Sequence, residues 1–374
     1  LNTWTDQPSA AGAHYGQAYR FMSYLGGRYD PEIMAEIISA PGTGLNAVDH
    51  ALRARGADLQ TVYADWLAAN LFVQDGSGPL SYERQMTPVE ASPAGDGFST
   101  RTTVSQWGAD YYRLQDNAPQ IVKFQGAPRV RLVSNDPKSG TYQWYSNRGD
   151  LLNSTLTREL DLSAVERATL EIDLWYDIEE HFDYAYIEIS NDGGETWKAL
   201  AGGRTTNDNP NGNNLGNGLT GQSGGWVTEQ FDLSSYAGKR VLLRVEYVTD
   251  DGYNAQGIAV DGVRVPEMGF SDDSEASDGW IDEGWVRTNN VVPGRYRLLV
   301  LDPDNAGTYS EIPVGADGRA TVVLPQGRDE TPVIAVSGAA QTTTQPSEYT
   351  LRLEEPGAGL LGILGGRAEA ENQR

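Results

Sequence analysis

TLEIDLWYDIEEHFDYAYIEISNDGGETW, residues 169–197, decides the fold class. TLEIDLWYDI alternates apolar and polar residues over the length of a strand, YAYIEIS does so again, and the acidic corner EEHFD separates them. The closing SNDGGETW is turn chemistry: Ser190 and Asp192 are placed to bond backbone groups across a tight hairpin. A glycine there takes positive φ and Trp197 packs beneath.

SNDGGETW also fits S-x-D-x-G-x-T-W, the Asp-box best known from sialidases. Several copies decorate the propeller of those enzymes away from the active site. This chain has one, which reads as a structural hairpin. Outward from it, RVLLRVEYV, IAVDGVRV, RYRLLVLD, ATVVLP and PVIAVS alternate or run apolar over strand lengths. Upstream, the periodicity is helical. HYGQAYRFMSYLGGRY puts Tyr15, Ala18, Met22 and Leu25 on one face, with Gly26-Gly27 and Asp30-Pro31 as stop and restart; PEIMAEIIS, LNAVDHALRARG and an Asp58-capped LQTVYADWLAANLF follow.

The expectation is a mainly β protein: a jelly-roll-like β-sandwich and a small C-terminal β domain, preceded by a small α-helical segment. Its boundaries are 1–75 helical, 76–104 linker, 105–290 sandwich, 291–354 C-terminal β and 355–374 disordered tail. One repeat is visible at an offset of 71: Asp161-Leu162-Ser163 recurs as Asp232-Leu233-Ser234, Tyr176 as Tyr247, and Glu179-Glu180 as Asp250-Asp251. It predicts two equivalent strands, each entered by a D-L-S turn and each leaving through an acidic corner.

Composition narrows the chemistry. Of 374 residues, 52 are Asp or Glu against 28 Lys or Arg, a net charge of −24; such a surface repels nucleic acid and favours cations. There is no cysteine and only three histidines, His14, His50 and His181, none set in H-E-x-x-H. Gly221-Gln222-Ser223-Gly224-Gly225 matches the G-x-S-x-G nucleophile elbow, yet the loop around it lacks the strand-to-helix context that the elbow needs. No apolar run reaches the ~20 residues of a membrane span, so membrane insertion is not expected. The opening LNTWTD has no initiator Met and no signal peptide, from which a piece of a longer precursor is expected.

Calcium wants six to eight oxygens, and the repeat-equivalent acidic corners supply candidates: Glu179, Glu180 and Asp183 at one exit, Asp250, Asp251 and Asn254 at the other, with Asp261 following. A solvated acidic rim is the plain alternative, and a glycosidase carboxylate pair a third reading. Trp175, Trp197, Trp226, Trp280 and Trp285 are either core or stacking faces for a glycan.

SNRGDLLNSTLTRELDLS, LWYDIEEHFDYAYIEISNDGGETWKAL, GLTGQSGGW, FDLSSYAGKRVLLRVEYVTDDG and GIAVDGVRV together resemble the β-sandwich region of immune inhibitor A-type secreted bacterial metallopeptidases. DGWIDEGWVRTNNVVPGRYRLLVL and QTTTQPSEYTLRL resemble their C-terminal extension. AHYGQAYRFMSYL and VYADWLAAN are similar to the helical half of gluzincin peptidase domains, downstream of H-E-x-x-H. The resemblance implies secretion, protein or peptide substrates, zinc held by residues outside this chain, and Tyr15 as a hydrogen-bond donor to the tetrahedral oxyanion. Read alone, Tyr15 is a core tyrosine. The competing function is a non-catalytic extracellular module that binds a glycan or a cell-surface protein.

Overall fold

Four helices form where periodicity and caps place them: α1 Pro8–Tyr29, α2 Glu32–Ser39, α3 Gly44–Ala54 and α4 Leu59–Phe72. The carboxylate of Asp58 accepts the Thr61 N–H at 2.9 Å, satisfying one of the free amides of the first turn of α4. Gly56, just past α3, adopts φ +75°, the left-handed backbone that ends helices. In α1 the expectation fails twice. Gly26-Gly27 does not stop the helix, because a glycine costs only about 1 kcal/mol and packing outweighs it. Phe21, Tyr24 and Leu25 are buried, and Arg28 pairs with Asp65 at 2.6 Å. The buried stripe is therefore centred on Phe21, Tyr24 and Leu25, while Tyr15 is 65% and Met22 37% exposed.

The computed structural model describes residues 1–2, 4, 8–75, 78–82, 84–115, 118–303, 308–324 and 330–356. They divide into two compact units, 1–132 with 292–374, and 133–291.

In the first unit, five strands run in the spatial order Thr308–Ile312, Tyr296–Asp302, Val333–Gly338, Ala109–Leu114, Ser92–Ala94, and four in the order Arg319–Leu324, Gln120–Gly126, Ser347–Glu354, Ser99–Val104. The period of two builds the layers. Leu299, Leu301, Val333 and Ala335 share a core with Leu52, Trp66 and Leu67 of the helices. Their neighbours Leu298, Val300, Ile334 and Val336 join Phe124 and Leu351 of the four-stranded sheet. The result is helix, sheet and sheet in three layers.

This corrects the linear division. Residues 76–104, expected as a linker, contribute three strands, Ser81–Tyr82, Ser92–Ala94 and Ser99–Val104, and Tyr111 and Phe124, expected in the sandwich, stand opposite Ala335 and Leu351. A strand's own periodicity says that it pairs, not with which distant segment. Of the expected tail, 357–374 lies outside the described residues.

The second unit is an antiparallel sandwich. In one sheet, Gly221–Gln222 and Val227–Asp232 both pair with Thr169–Ile178, and Gly257–Val265, Gln143–Tyr145 and Val286–Thr288 follow; Phe270–Asp272 also pairs with Gly257–Val265. The other runs Lys198–Ala199, Tyr184–Ser190, Arg240–Val248, Asn153–Asp161, Trp280–Glu283. Alternation again selects the inner faces: Leu170, Ile172, Leu174, Tyr176 and Ile178 from one sheet meet Val241, Leu243, Val245 and Tyr247 from the other. Each fully buried Leu or Ile contributes about 1.5–3 kcal/mol by leaving water.

The repeat is a local two-fold relation between the sheets. Asp161 accepts the Ser163 N–H at 3.0 Å and Asp232 the Ser234 N–H at 2.8 Å. Leu162 N–H donates to Lys239 O, and Leu233 N–H to Ala168 O, both at 2.9 Å. Lys239 is the equivalent of Ala168, so each copy's D-L-S turn caps the start of the other copy's strand. The two strands lie in opposite sheets and leave at one end, which brings their acidic exits together. Where the chain enters and leaves this unit, the Asn290 amide accepts the Val133 N–H at 3.0 Å and donates to Val133 O at 3.1 Å.

Candidate metal centre

Glu179 follows the strand Thr169–Ile178, Asp183 precedes Tyr184–Ser190, and Asp250 follows Arg240–Val248. One carboxylate oxygen from each lies within 4.8 Å of the others. Among the described residues this is the one grouping of three or more carboxylate, imidazole or thiolate ligands close enough to share an ion.

The turn holding them is tightly specified. Asp183 and Phe182 N–H groups donate back to Glu179 O at 3.2 and 3.4 Å, and His181 between them takes φ +69°, a left-handed conformation that is uncommon for a non-glycine residue. Thr220 secures it: its Oγ1 accepts the His181 N–H at 3.0 Å and donates to Glu179 O at 3.0 Å. From the Gly/Asn-rich loop, Asn211 donates to His181 O at 3.2 Å and Asn213 to Phe182 O at 3.1 Å.

Asp183 is the centre of the arrangement. It is fully buried; its Oδ1 accepts the Asp250 N–H at 2.9 Å, and its Oδ2 has no hydrogen-bond partner. Burial, and then the carboxylates of Glu179, Asp250 and Asp150, push its pKa up to about 7 against the pull of the Asp250 N–H. A buried carboxylate with one unpartnered oxygen, close to two more carboxylates, is costly alone. A hard divalent cation resolves that cost by supplying the opposite charge to all three oxygens.

The other sequence candidates fall elsewhere. Glu180 and Asp251 are exposed. Asn254 is engaged with Asp150 through Nδ2 at 2.5 Å and with Arg148 through Oδ1 at 2.8 Å. Asp261 is fully buried and accepts the Ser139 N–H at 2.9 Å and its hydroxyl at 3.0 Å; burial raises its pKa. Adjacency in sequence separated none of these from the three carboxylates that lie together. Conversely, Asp150, Thr220, Asn211 and Asn213 were not singled out by the sequence, since an amide or hydroxyl in a polar loop carries no periodic signal.

SNDGGETW closes on itself. Ser190 Oγ accepts the Gly194 N–H at 2.9 Å, Asp192 accepts the Thr196 N–H at 3.0 Å, and the Trp197 indole donates to Gly194 O at 3.1 Å. Gly193 and Gly194 take φ +80° and +94°. Hydrogen bonds from Thr196 hold the Asp192 carboxyl well below the usual range. Ser223 is likewise structural: its hydroxyl accepts the Tyr176 N–H at 2.9 Å and donates to Tyr176 O at 3.1 Å.

None of the five tryptophans is exposed. Trp175, Trp280 and Trp285 are buried, Trp226 is half-buried with its indole on Asp136 O, and the Arg244 guanidinium covers Trp197 at 4.1 Å. Tyr15 is not a core residue; it stands on the open face of α1 against the edge of Trp4, centroids 4.6 Å apart. His14 lies in α1, His50 in α3 and His181 at the acidic turn, so the described residues hold no zinc set.

Residues 104–290 match the family described as immune inhibitor A-like, MAM domain. Over 252 residues, 66% of this chain, the sequence is 36% identical to the pre-pro-metalloprotease PrtV of Vibrio cholerae serotype O1, in two strains, and the match covers 25% of that protein. Over 249 residues, 60% of this chain, it is 26% identical to Immune inhibitor A of Bacillus thuringiensis subsp. alesti, 35% of which is covered. The chain thus spans between a quarter and about a third of the length of these relatives. No helix among the described residues is long and apolar enough to cross a membrane.

Proposed function

This chain belongs to the immune inhibitor A-like family, and we propose that it is the C-terminal portion of a secreted, zinc-dependent metallopeptidase acting on proteins, carrying a calcium-stabilised accessory sandwich. The peptidase assignment rests on the 36% identity to a metalloprotease over two thirds of the chain. Zinc, when bound in such an enzyme, polarises the scissile carbonyl and activates water; its H-E-x-x-H lies outside this chain. Tyr15, with its hydroxyl on an open helix face, donates to the oxyanion. Expected outcomes follow for two proteins. These 374 residues alone do not hydrolyse casein with added zinc. In the polypeptide that also carries H-E-x-x-H, Tyr15→Phe lowers kcat with little change in KM, by about 10²-fold for a lost oxyanion donor. Casein hydrolysis by the isolated chain, or an unchanged kcat in the variant, removes the assignment.

Calcium occupies the cluster of Glu179, Asp183 and Asp250. The observation that carries this is the unpartnered Oδ2 of fully buried Asp183. Three carboxylates, completed by backbone oxygens and water, suit an ion that takes six to eight oxygens in irregular geometry. A ligand bound only by the folded state at 100 times its Kd adds about 2.7 kcal/mol. A sandwich whose unfolding midpoint is the same in calcium and in chelator has no such site.

A further inference from the structure

In a chain with 52 acidic and 28 basic residues, a place where three cations line one concavity calls for a reason. The four-stranded sheet of the first unit has one on its exposed face. Its register sets Lys123 opposite Thr321 on one neighbouring strand and opposite Arg352 on the other, and Gln125 opposite Arg319 and Thr350. These six polar side chains line a concavity of about 330 Å³, and no carboxylate is among its lining residues.

The Lys123 and Arg352 pairing is the informative part. Like charges directly opposite each other in a sheet are destabilising, and the same sheet shows the ordinary solution one pair away, where Arg101 meets Glu348 at 2.7 Å. Lys123 reaches Glu354 at the rim at 2.5 Å, and Arg319 bonds Gln125 at 2.6 Å with Asp317 at 3.9 Å. Arg352 is exposed and has no hydrogen-bond or ion-pair partner among the described residues. By contrast, the larger 510 Å³ cleft of this unit has its central Arg297 already held by both oxygens of Glu311, at 3.0 and 2.9 Å. Its charge is spent.

We propose that the Lys123, Arg319 and Arg352 concavity binds an acidic saccharide, a sulfated or uronate-bearing unit of a glycan. Arg352, which has no partner of its own among the described residues, takes the acidic group, with the Lys123 ammonium and the Arg319 guanidinium beside it adding to the local positive charge. Thr321, Thr350 and Gln125 supply the hydroxyls and amide that sugar hydroxyls require. The volume is at the small end of ligand sites, about 300–1,000 Å³, larger than a bare oxyanion needs and suited to one or two sugar rings. A nucleic-acid strand fits less well, because the lining offers no exposed aromatic face for a base. This site is independent of the peptidase and calcium assignments.

The test is calorimetric titration of the full chain at physiological salt with a heparin-derived disaccharide, a hyaluronan-derived disaccharide, maltose and sodium sulfate. At least one acidic disaccharide binds, maltose does not, and sulfate binds more weakly than that disaccharide. Arg352→Gln weakens the interaction roughly tenfold, the worth of one charged hydrogen bond, while Arg101→Gln, paired outside the concavity, leaves it unchanged. A hydrogen-exchange footprint of the bound disaccharide on the unmodified chain, expected on Gln120–Gly126 and Ser347–Glu354, does not depend on how any variant folds. The proposal is overturned by no binding of either acidic sugar, by sulfate binding as tightly, by indifference to Arg352→Gln, or by a footprint elsewhere.

Discussion

Asp183→Asn separates the metal reading from that of an ordinary acidic rim, because it acts in opposite directions with and without a cation. The amide keeps the oxygen that accepts the Asp250 N–H and replaces the unpartnered oxygen with an uncharged donor, removing one negative charge from beside Glu179 and Asp250. Raising a carboxyl from its ordinary value near 4 to about 7 disfavours its ionised form by on the order of 4 kcal/mol. The folded protein holds this proton more tightly than the unfolded chain. Stability is therefore unaffected below about pH 4, falls as pH rises from about 4 to 7, and carries the full penalty above that. Without calcium at about pH 8, the variant is the more stable protein, by up to a few kcal/mol. With calcium in excess only the parent gains: about 2.7 kcal/mol at 100 Kd, which narrows the gap and equals roughly 5–10 °C in a domain of this size, and about 4.1 kcal/mol at about 1,000 Kd, above which the order reverses. Thermal and urea unfolding of both proteins, in calcium and in chelator, at about pH 4.5 and 8, reads all four corners. A variant that is less stable than its parent in chelator at pH 8, or that keeps the calcium shift, refutes the reasoning.

Two further outcomes are expected. Leu162→Ala and Leu233→Ala, buried at equivalent places in the two-fold pair, each lower sandwich stability by about 2–5 kcal/mol and do so alike within error; a large difference by urea unfolding contradicts the equivalence. Gly218→Ala puts a methyl 2.6 Å from the Tyr184 ring and 2.9 Å from Asn214 Oδ1. It costs about 1–3 kcal/mol and weakens calcium binding by calorimetry, because the displaced loop carries Thr220 and Asn213.

The strands of the sandwich were legible in detail because apolar and β-branched residues recur along each at strand length between turn signals. TLEIDLWYDI and YAYIEIS match the observed strands residue for residue. The buried face of α1 was misread because two stripes of its surface are aromatic, and only tertiary packing decides that Tyr24 goes in and Tyr15 stays out. The membership of Tyr111 and Phe124 in the first unit was not legible, since pairing across the intervening sandwich leaves no local trace. The 71-residue repeat places the exits of two strands at one end, and of the seven candidate ligands Glu179, Asp183 and Asp250 do lie together there. It could not exclude Asp261, whose partner Ser139 comes from a distant loop.

The clasp made by Asn290 on Val133, one hydrogen bond in each direction, has a mechanical meaning. A chain that leaves a folded unit beside the point where it entered inserts 133–291 while scarcely spreading its own flanks. Tension applied through those flanks loads the clasp before it reaches the strands of the sandwich. The short strands Arg129–Arg131 and Val291–Pro293 pair just outside the clasp, so the two ends of the sandwich are held side by side by strand pairing as well as by Asn290.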